Sequence, residues 1–256
     1  MSVQSPVVDI DEIIYPESDG QPMADNSKQF RWIVTIKEGL DALLPDAFVA
    51  GDMLWYPVEG NNKIRIAPDV LVAFGRPKGD RGSYLQWREN NIVPQVVFEI
   101  LSPGNTSAEM ARKFEFYQRY GVDEYYVYDP DNNELAGWRR QGDSLGEIKE
   151  IVGWTSPWIG IRFEQQNEEL LLIDPDGKPI YTYLELVEQQ EVERQRAVEE
   201  RRLRIQAEQQ QEEERRQREQ AEQQQEEERR RREQAEQRAQ ELAEKLQALG
   251  IDPGAE

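Results

Sequence analysis

The chain contains no histidine and no cysteine, and each absence removes a block of chemistry. Without cysteine there are no disulfides, no thiolate metal ligands and no thiol nucleophile. Without histidine there is no Ser-His-Asp arrangement, no imidazole ligand and no imidazole base. Any chemistry must run on carboxylates, lysine, tyrosine and a metal ion that accepts oxygen donors. Long apolar runs are also missing. No stretch approaches the roughly 18 apolar residues of a membrane span, and no basic segment with an apolar run behind it opens the chain. A soluble, cytoplasmic protein with no membrane role is expected. Basic charge is scarce: 31 Lys and Arg face 51 Asp and Glu, a net −20, and up to Ile180 the count is 17 against 30. Tight, nonspecific binding to phosphate backbones calls for a basic footprint, so this balance argues against it. Locally clustered cations, or metal ions that offset the acids at one site, stay compatible with it.

What is present falls into two parts. Residues 1–180 have the mixed composition of a globular domain, enough for one core. Residues 181–256 are a different object. From Tyr183 to Leu249 there is neither Gly nor Pro, Thr182-x-x-Glu185 forms a capping box, and Gly250 and Pro253 close the run. A unit beginning at Ala207 recurs from Ala221, and Ala235 starts a shortened copy, a 14-residue repeat. Two heptads per repeat favour a coiled coil. The seam of Ala207, Ala221, Ala235, Leu242 and Leu249 has Gln211, Arg218, Gln225 and Arg232 beside it, however, and is polar over its middle. A single helix held by pairs such as Glu212–Arg216, Glu214–Arg218, Glu226–Arg230 and Glu228–Arg232 is the rival. A homodimer through this helix is one expectation.

The first part is organised around Ala67 to Asp129. Two apolar, β-branched runs there each hold an acid. Asp69 opens Asp69-Val70-Leu71-Val72-Ala73-Phe74, and Glu99 lies inside Val96-Val97-Phe98-Glu99-Ile100. Burying an ionised carboxylate costs several kcal/mol or more unless a cation or donor meets it, so two in one small sheet point to a shared cation. After them, Thr106 to Tyr120 reads as a helix ended by Gly121. At about 100° per residue, Met110, Phe114, Phe116, Tyr117 and Tyr120 share an arc, and Lys113 falls inside it, with Glu109 one turn earlier. The plain reading of Lys113 is a snorkelling residue paired with Glu109. The sharper one brings Asp69, Glu99 and Lys113 to a single site, with Mg²⁺ or Mn²⁺ on the acids and the ammonium beside them, the set that metal-assisted phosphodiester hydrolysis needs.

Pro68-Asp69, the later Glu99 strand and the helix that follows resemble the PD-(D/E)xK nuclease superfamily. Within it, Phe98-Glu99-Ile100-Leu101-Ser102-Pro103, Lys113, Tyr117 and Gly121-Val122-Asp123-Glu124-Tyr125-Tyr126-Val127-Tyr128-Asp129-Pro130 are similar to the bacterial Uma-type restriction endonuclease family. The resemblance runs from about Asp46 to Pro175. In the basic superfamily pattern a Lys stands two places after the Glu, where this chain has Leu101. The Uma-type branch implies that its function has moved to the next helix, at Lys113. The resemblance further implies a restriction-endonuclease-like α/β core with a mixed central sheet flanked by helices, catalytic Asp69, Glu99 and Lys113, metal ligands Asp69, Glu99 and the carbonyl of Ile100, and DNA as substrate. Its first helix often lends the site an acid or polar residue, for which Glu38 and Gln29 are candidates. Asp52, Ser102, Glu109 and Tyr117 are further accessory candidates.

Around this centre, Met1 to Ile10 reads as frayed, Lys28 to Leu44 as a helix capped by Asn26 or Ser27 with an apolar face of Phe30, Ile33, Val34, Ile36, Leu40 and Leu43, and Phe48–Tyr56 and Lys63–Phe74 as neighbouring strands. Asp52 would lie in the first and Asp69 midway along the second. Further strands are expected at Asp123–Asp129, Glu134–Arg140, Leu145–Ile151, Ile159–Phe163 and Glu169–Ile173. The insertion Gly75 to Asn91 carries Arg76, Lys78, Arg81 and Arg88 with Tyr84 and Trp87 interleaved, which fits either a phosphate-contacting loop or a solvated one. Three functions stay open at this point: a metal-dependent endonuclease, a catalytically weak or inactive nuclease-like interaction protein whose C-terminal coiled coil binds a partner, and a carboxylate-pair hydrolase acting on sugars.

Overall fold

A computed structural model describes residues 13–166 and 169–248. The chain divides into two compact units, one ending at Leu186 and the other beginning at Val187. The expectations for Met1–Ile10 and for Leu249, Gly250 and Pro253 lie outside the described residues.

Helix α1 (Ser27–Leu43) starts at Asn26, whose side chain accepts the Gln29 N–H, and it buries Gln29, Trp32, Ile33, Ile36 and Leu40. These positions follow the three-and-four spacing of one helical face. Phe30 and Val34, expected on that face, are exposed, because the stripe is centred on Ile33 and Ile36 and leaves them on its flank. The strands that follow are β1 (Ala47–Gly51), β2 (Trp55–Tyr56), β3 (Val70–Phe74), β4 (Tyr84–Leu85) and β5 (Val96–Ile100). Helix α2 (Ser107–Tyr120) comes next, capped by the Thr106 side chain and ended by Gly121 at φ +93°, a left-handed conformation that glycine adopts without a Cβ penalty. Then come β6 (Glu124–Asp129), β7 (Glu134–Gln141), β8 (Ser144–Glu147), β9 (Arg162–Gln166) and β10 (Glu169–Ile173).

Six strands form a mixed sheet in the order β1-β3-β5-β6-β7-β8. Within this sheet, only the β5–β6 pair among the described residues is parallel. Parallel neighbours need a crossover connection, and α2 is that connection. The sheet is covered on both faces. Val70, Val72, Phe98, Ile100 and Tyr126 pack with α1 and with Phe163, Leu170 and Leu172 of the β9–β10 hairpin. Leu71, Ala73, Val97 and Tyr125 pack with Tyr117 of α2 and with Trp55 and Tyr84 of the small β2–β4 pair.

Several strands are shorter than expected. Phe48–Tyr56 breaks at Asp52, whose φ is +47°, and resumes as β2. Of Lys63–Phe74 only Val70–Phe74 joins the sheet. Ile66 makes an isolated bridge to Trp55, and Pro68 has no N–H to extend a ladder. Asp52 and Asp69 therefore stand at strand ends, where backbone direction is freer. The strand expected at Leu145–Ile151 closes at Glu147, and the one at Ile159–Phe163 begins at Arg162.

Helix α3 (Tyr183–Ala248) runs for 66 residues, on the order of 100 Å at 1.5 Å per residue. Its capping box forms: the Thr182 N–H donates to Glu185 Oε2 at 2.8 Å, and the Glu185 N–H donates to Thr182 Oγ1 at 3.3 Å. Exposed side chains along it pair three and four apart, among them Arg216–Glu212 at 3.2 Å and Arg230–Glu226 at 3.0 Å. No helix among the described residues is long and apolar enough to cross a membrane.

The segment leading into α3 is seated on α1 through a missing side chain. A Cβ on Gly39 would stand 2.4 Å from Ile180 Cγ2, too close for the branched carbon to yield by rotating its far end. Gly39→Val is therefore expected to destabilise the first unit by about 1–3 kcal/mol, as overpacking does, even though valine is the better helix former. Thermal unfolding of the full chain checks this.

Candidate functional site

The site follows from strand register. Gly51 pairs with Val70 across β1 and β3, and Val70 pairs with Phe98 across β3 and β5. Carried one residue further, both registers set Asp52, Asp69 and Glu99 in one row. The Asp52 N–H donates to the Asp69 carbonyl at 3.1 Å, which holds the end of that row. Side chains alternate across a sheet. Since Leu71 and Val97 face α2, Asp69 and Glu99 face it as well.

From α2, two donors meet Glu99. The Lys113 ammonium donates to Oε2 at 2.7 Å and the Tyr117 hydroxyl to Oε1. Lys113 and Tyr117 are one turn apart, so both reach the same carboxylate. The Glu99 side chain is 2 % exposed and that of Lys113 17 %. The Ile100 N–H donates to Asp69 Oδ2 at 2.6 Å, and Gln29 Nε2 donates to the Ile100 carbonyl at 2.8 Å. Gln29 is fixed in turn by the Asp25 N–H, 2.8 Å from its Oε1.

Electrostatics set these groups against one another. Burial and the neighbouring Glu99 hold the Asp69 carboxyl well above the ordinary carboxylate range, against the pull of Lys113 and the Ile100 N–H. Burial, Asp19 and Glu99 raise the Asp52 carboxyl too. Burial opposes the charge on Lys113, but Glu99 and Asp69 outweigh it and raise the lysine pKa, so it is an ammonium at neutral pH. It can donate hydrogen bonds there but not accept a proton. Asp69, Asp52 and Lys113 open onto a cavity of about 460 Å³ that is also lined by Asp19, Asp25, Arg65, Asn105 and Glu109.

A family model described as "Putative restriction endonuclease", Uma2, matches residues 11–158. The chain belongs to that family. No curated protein matches it. Among solved structures it is similar to one titled a putative nuclease belonging to DUF820, from Anabaena variabilis ATCC 29413. Identity is 14 % over 53 % of this chain and 75 % of that one, with a TM-score of 0.41.

Not every residue singled out in this Uma2 chain comes to the cavity. Glu38 is exposed and pairs with Lys37 at 2.9 Å. Ser102 is buried and donates to Asp25 at 2.5 Å. The Gly75–Asn91 insertion is held down by internal partners instead of presenting a basic face. Arg81 pairs with Glu89 at 2.7 Å and lies 3.9 Å over the Phe48 ring, Arg76 approaches the same Glu89 at 3.9 Å, and Lys78 pairs with Asp41 at 2.8 Å. Only Arg88 is exposed and absent from any ion pair among the described residues. Glu89, a shielded acid, draws the arginines inward. Tyr84 is buried in the core, and Trp87 packs on Tyr15 at 4.9 Å. Asp19, Asp25 and Arg65, which do line the cavity, sit in turn-rich segments without periodicity, so no pattern in the sequence marked them. A larger cavity of about 1010 Å³ lies on another face of α2, over Met110, Phe114 and Trp138, with Glu115, Asp129 and Asp131 and no Lys or Arg in its lining. The two linings carry the same net charge, but only the smaller cavity offers cations, Lys113 and Arg65, to a phosphate oxygen.

The clamp on Glu99 should be measurable in stability. Lys113→Met leaves a buried carboxylate with one donor fewer, and a loss of about 3 kcal/mol is expected. In Lys113→Met/Glu99→Gln part of it should return, because the uncompensated charge is gone. Denaturant unfolding of the three variants tests this.

Asp69 gives a pH signature. Between the ordinary carboxylate range and its raised value, the folded protein holds a proton that the unfolded chain has released. Stability of the metal-free protein therefore falls as pH rises through that window. Asp69→Asn, which keeps an acceptor for the Ile100 N–H, should flatten the slope and raise the melting temperature at neutral pH.

Proposed function

We propose that this Uma2 protein is a metal-dependent endonuclease that hydrolyses phosphodiester bonds in DNA, on a PD-(D/E)xK-type site formed by Asp69, Glu99 and Lys113. The observation that carries the reading is the Lys113–Glu99 ion pair, drawn into the row of strand acids beside Asp69. Family membership supports nuclease chemistry at the coarser level.

The donor set suits a hard divalent cation such as Mg²⁺ or Mn²⁺. Asp69 keeps one oxygen without a donor among the described residues, Glu99 and the Ile100 carbonyl have lone pairs to spare, and burial together with the neighbouring Glu99 raises the Asp69 pKa despite Lys113. Among the described residues no group of three or more carboxylates is arranged to hold a metal ion alone. Two acids and a carbonyl, with water completing the shell, is the habit of Mg²⁺. When bound, such an ion supplies Lewis-acid polarisation of the phosphodiester and acidifies a water ligand. The chain's own part is positional. Asp69 is fixed by the Ile100 N–H, Gln29 holds the Ile100 carbonyl, and the Lys113 ammonium orients the attacking water and stabilises charge on the phosphate oxygens.

A pair of catalytic carboxyls for sugar hydrolysis fits less well, because it leaves the Lys113 ammonium beside Glu99 without a part in the chemistry. Nicking of supercoiled plasmid in Mg²⁺ or Mn²⁺ tests the proposal. Asp69→Asn, Glu99→Gln and Lys113→Met should each slow it by about 100-fold or more. Nicking at the wild-type rate in Lys113→Met would refute the assignment. A wild-type chain that neither nicks DNA nor binds either ion would favour an interaction protein instead.

A further inference from the structure

Glu99 is held by two donors of opposite character. Tyr117 is fully buried. Its ring lies parallel to Trp55 at 6.5 Å and tilted against Tyr125 at 5.0 Å. Its carbonyl accepts from the Val122 N–H at 3.0 Å and from Arg140 Nη2 at 3.4 Å, which pins its main chain to the turn after α2 and to β7. Nothing in this packing allows the hydroxyl to leave Glu99 without disturbing the aromatic cluster. Lys113 is the reverse. Its ammonium sits on a four-carbon stem, is partly exposed, and lines the cavity that Asp69 and Asp52 share. Tyr117 does not reach that cavity.

We infer that Tyr117 is the fixed anchor of Glu99, and that Lys113 is the donor that changes partner, turning from Glu99 towards an anionic oxygen of the substrate. A carboxylate held by Lys113 alone would lose its orientation whenever the ammonium turned to a phosphate. One held by Tyr117 as well keeps it, because the second hydrogen bond comes from a group that substrate cannot touch. Tyr117 is therefore a positioning residue, which acts through Glu99 and lies outside the reacting groups. The inference rests on the nuclease reading for the identity of the substrate oxygen. The asymmetry of the two donors does not depend on it.

The test uses the full chain. Tyr117→Phe removes the hydroxyl and keeps the ring. Its kcat for plasmid nicking should fall about tenfold or more, the worth of a charge-assisted hydrogen bond, with KM for DNA changed by no more than about twofold. Independently of activity, its affinity for Mn²⁺ by calorimetry should weaken by about tenfold, as when the partner orienting a ligand is lost. Tyr120→Phe, on the same helix, should leave both unchanged. A Tyr117→Phe protein with wild-type kcat and wild-type Mn²⁺ affinity overturns the inference and leaves the nuclease reading standing. A wild-type protein that does not nick DNA overturns the nuclease reading, while the Mn²⁺ titration still decides the anchor. Should Tyr117→Phe fail to fold, a crystal structure of Lys113→Met decides instead. Glu99 is expected to stay on the Tyr117 hydroxyl, and a disordered or displaced Glu99 overturns the proposal.

Discussion

An acid on a central strand, closed off from water, governs what the rest of the first unit must do. Glu99 sits where apolar side chains belong, and an unpaired carboxylate in such a place costs several kcal/mol, a large share of what holds a domain of this size together. The donors that meet it come from α2, so α2 must lie across β5 with Lys113 and Tyr117 facing down. That constraint accounts for the sharp Ser102–Asn105 turn after β5, the Thr106 cap, and Gly121, whose left-handed backbone returns the chain to β6 beside β5. The crossover and the ion pair are one solution to two requirements: a parallel pair needs a covering helix, and the buried acid needs that helix to bring a cation.

The row of acids has a geometric cause of the same kind. Register fixes which residues stand abreast, and period-two alternation fixes which face they share. Asp52, Asp69 and Glu99 are therefore neighbours because three strands are aligned, with Glu99 inside β5 and Asp69 and Asp52 next to the ends of β3 and β1. The row also sits where β1 and β3 give way to irregular backbone. Strand ends are where main-chain groups stop pairing with one another, and here the Ile100 N–H meets Asp69 while its carbonyl meets Gln29. The electrostatic tension at Asp69 is thus built into the sheet itself, not imposed by a flexible loop.

How much of this could be read from residues alone differs by element. Asp69, Glu99 and Lys113 were legible because each breaks a pattern: an acid among β-branched residues, a lysine in an aromatic arc. Gln29 stands out in the sequence only as one of two polar candidates on the first helix. Its role depends on which helical face turns inward, and Phe30 and Val34 drew the expected face one position away from the real one. The alternation over Phe48–Tyr56 puts Asp52 inside a strand, and nothing in that run announces its positive φ. The arginines of the insertion misled in the opposite direction. Local charge was countable, but the partners that neutralise it are Asp41 and Glu89, and only the folded chain shows that Glu89 is shielded enough to hold two guanidinium groups. Periodic segments carry their structure in the sequence; turn-rich segments such as the one holding Asp19 and Asp25 take theirs from what they pack against.

The overall acidity acquires a definite meaning once the site is in view. At physiological ionic strength charges are screened beyond roughly 8–10 Å, so most of the net −20 has little effect on a group already inside the cavity. Its effect is on approach, since so acidic a net charge does not steer a polyanion by long-range attraction. Inside, Lys113 and Arg65 face Asp19, Asp25, Asp52, Asp69 and Glu109 across the same cavity, a balance that would repel a phosphate as readily as the surface does. Under the nuclease reading, a divalent cation is then needed at two stages at once. It would offset part of the negative charge that a phosphate meets there, and it would relieve the repulsion from Glu99 that adds to burial in holding Asp69 above the carboxylate range. On that reading the binding of ion and of substrate would be coupled through one carboxylate row, and the acids would not need to be outnumbered by bases for phosphate chemistry.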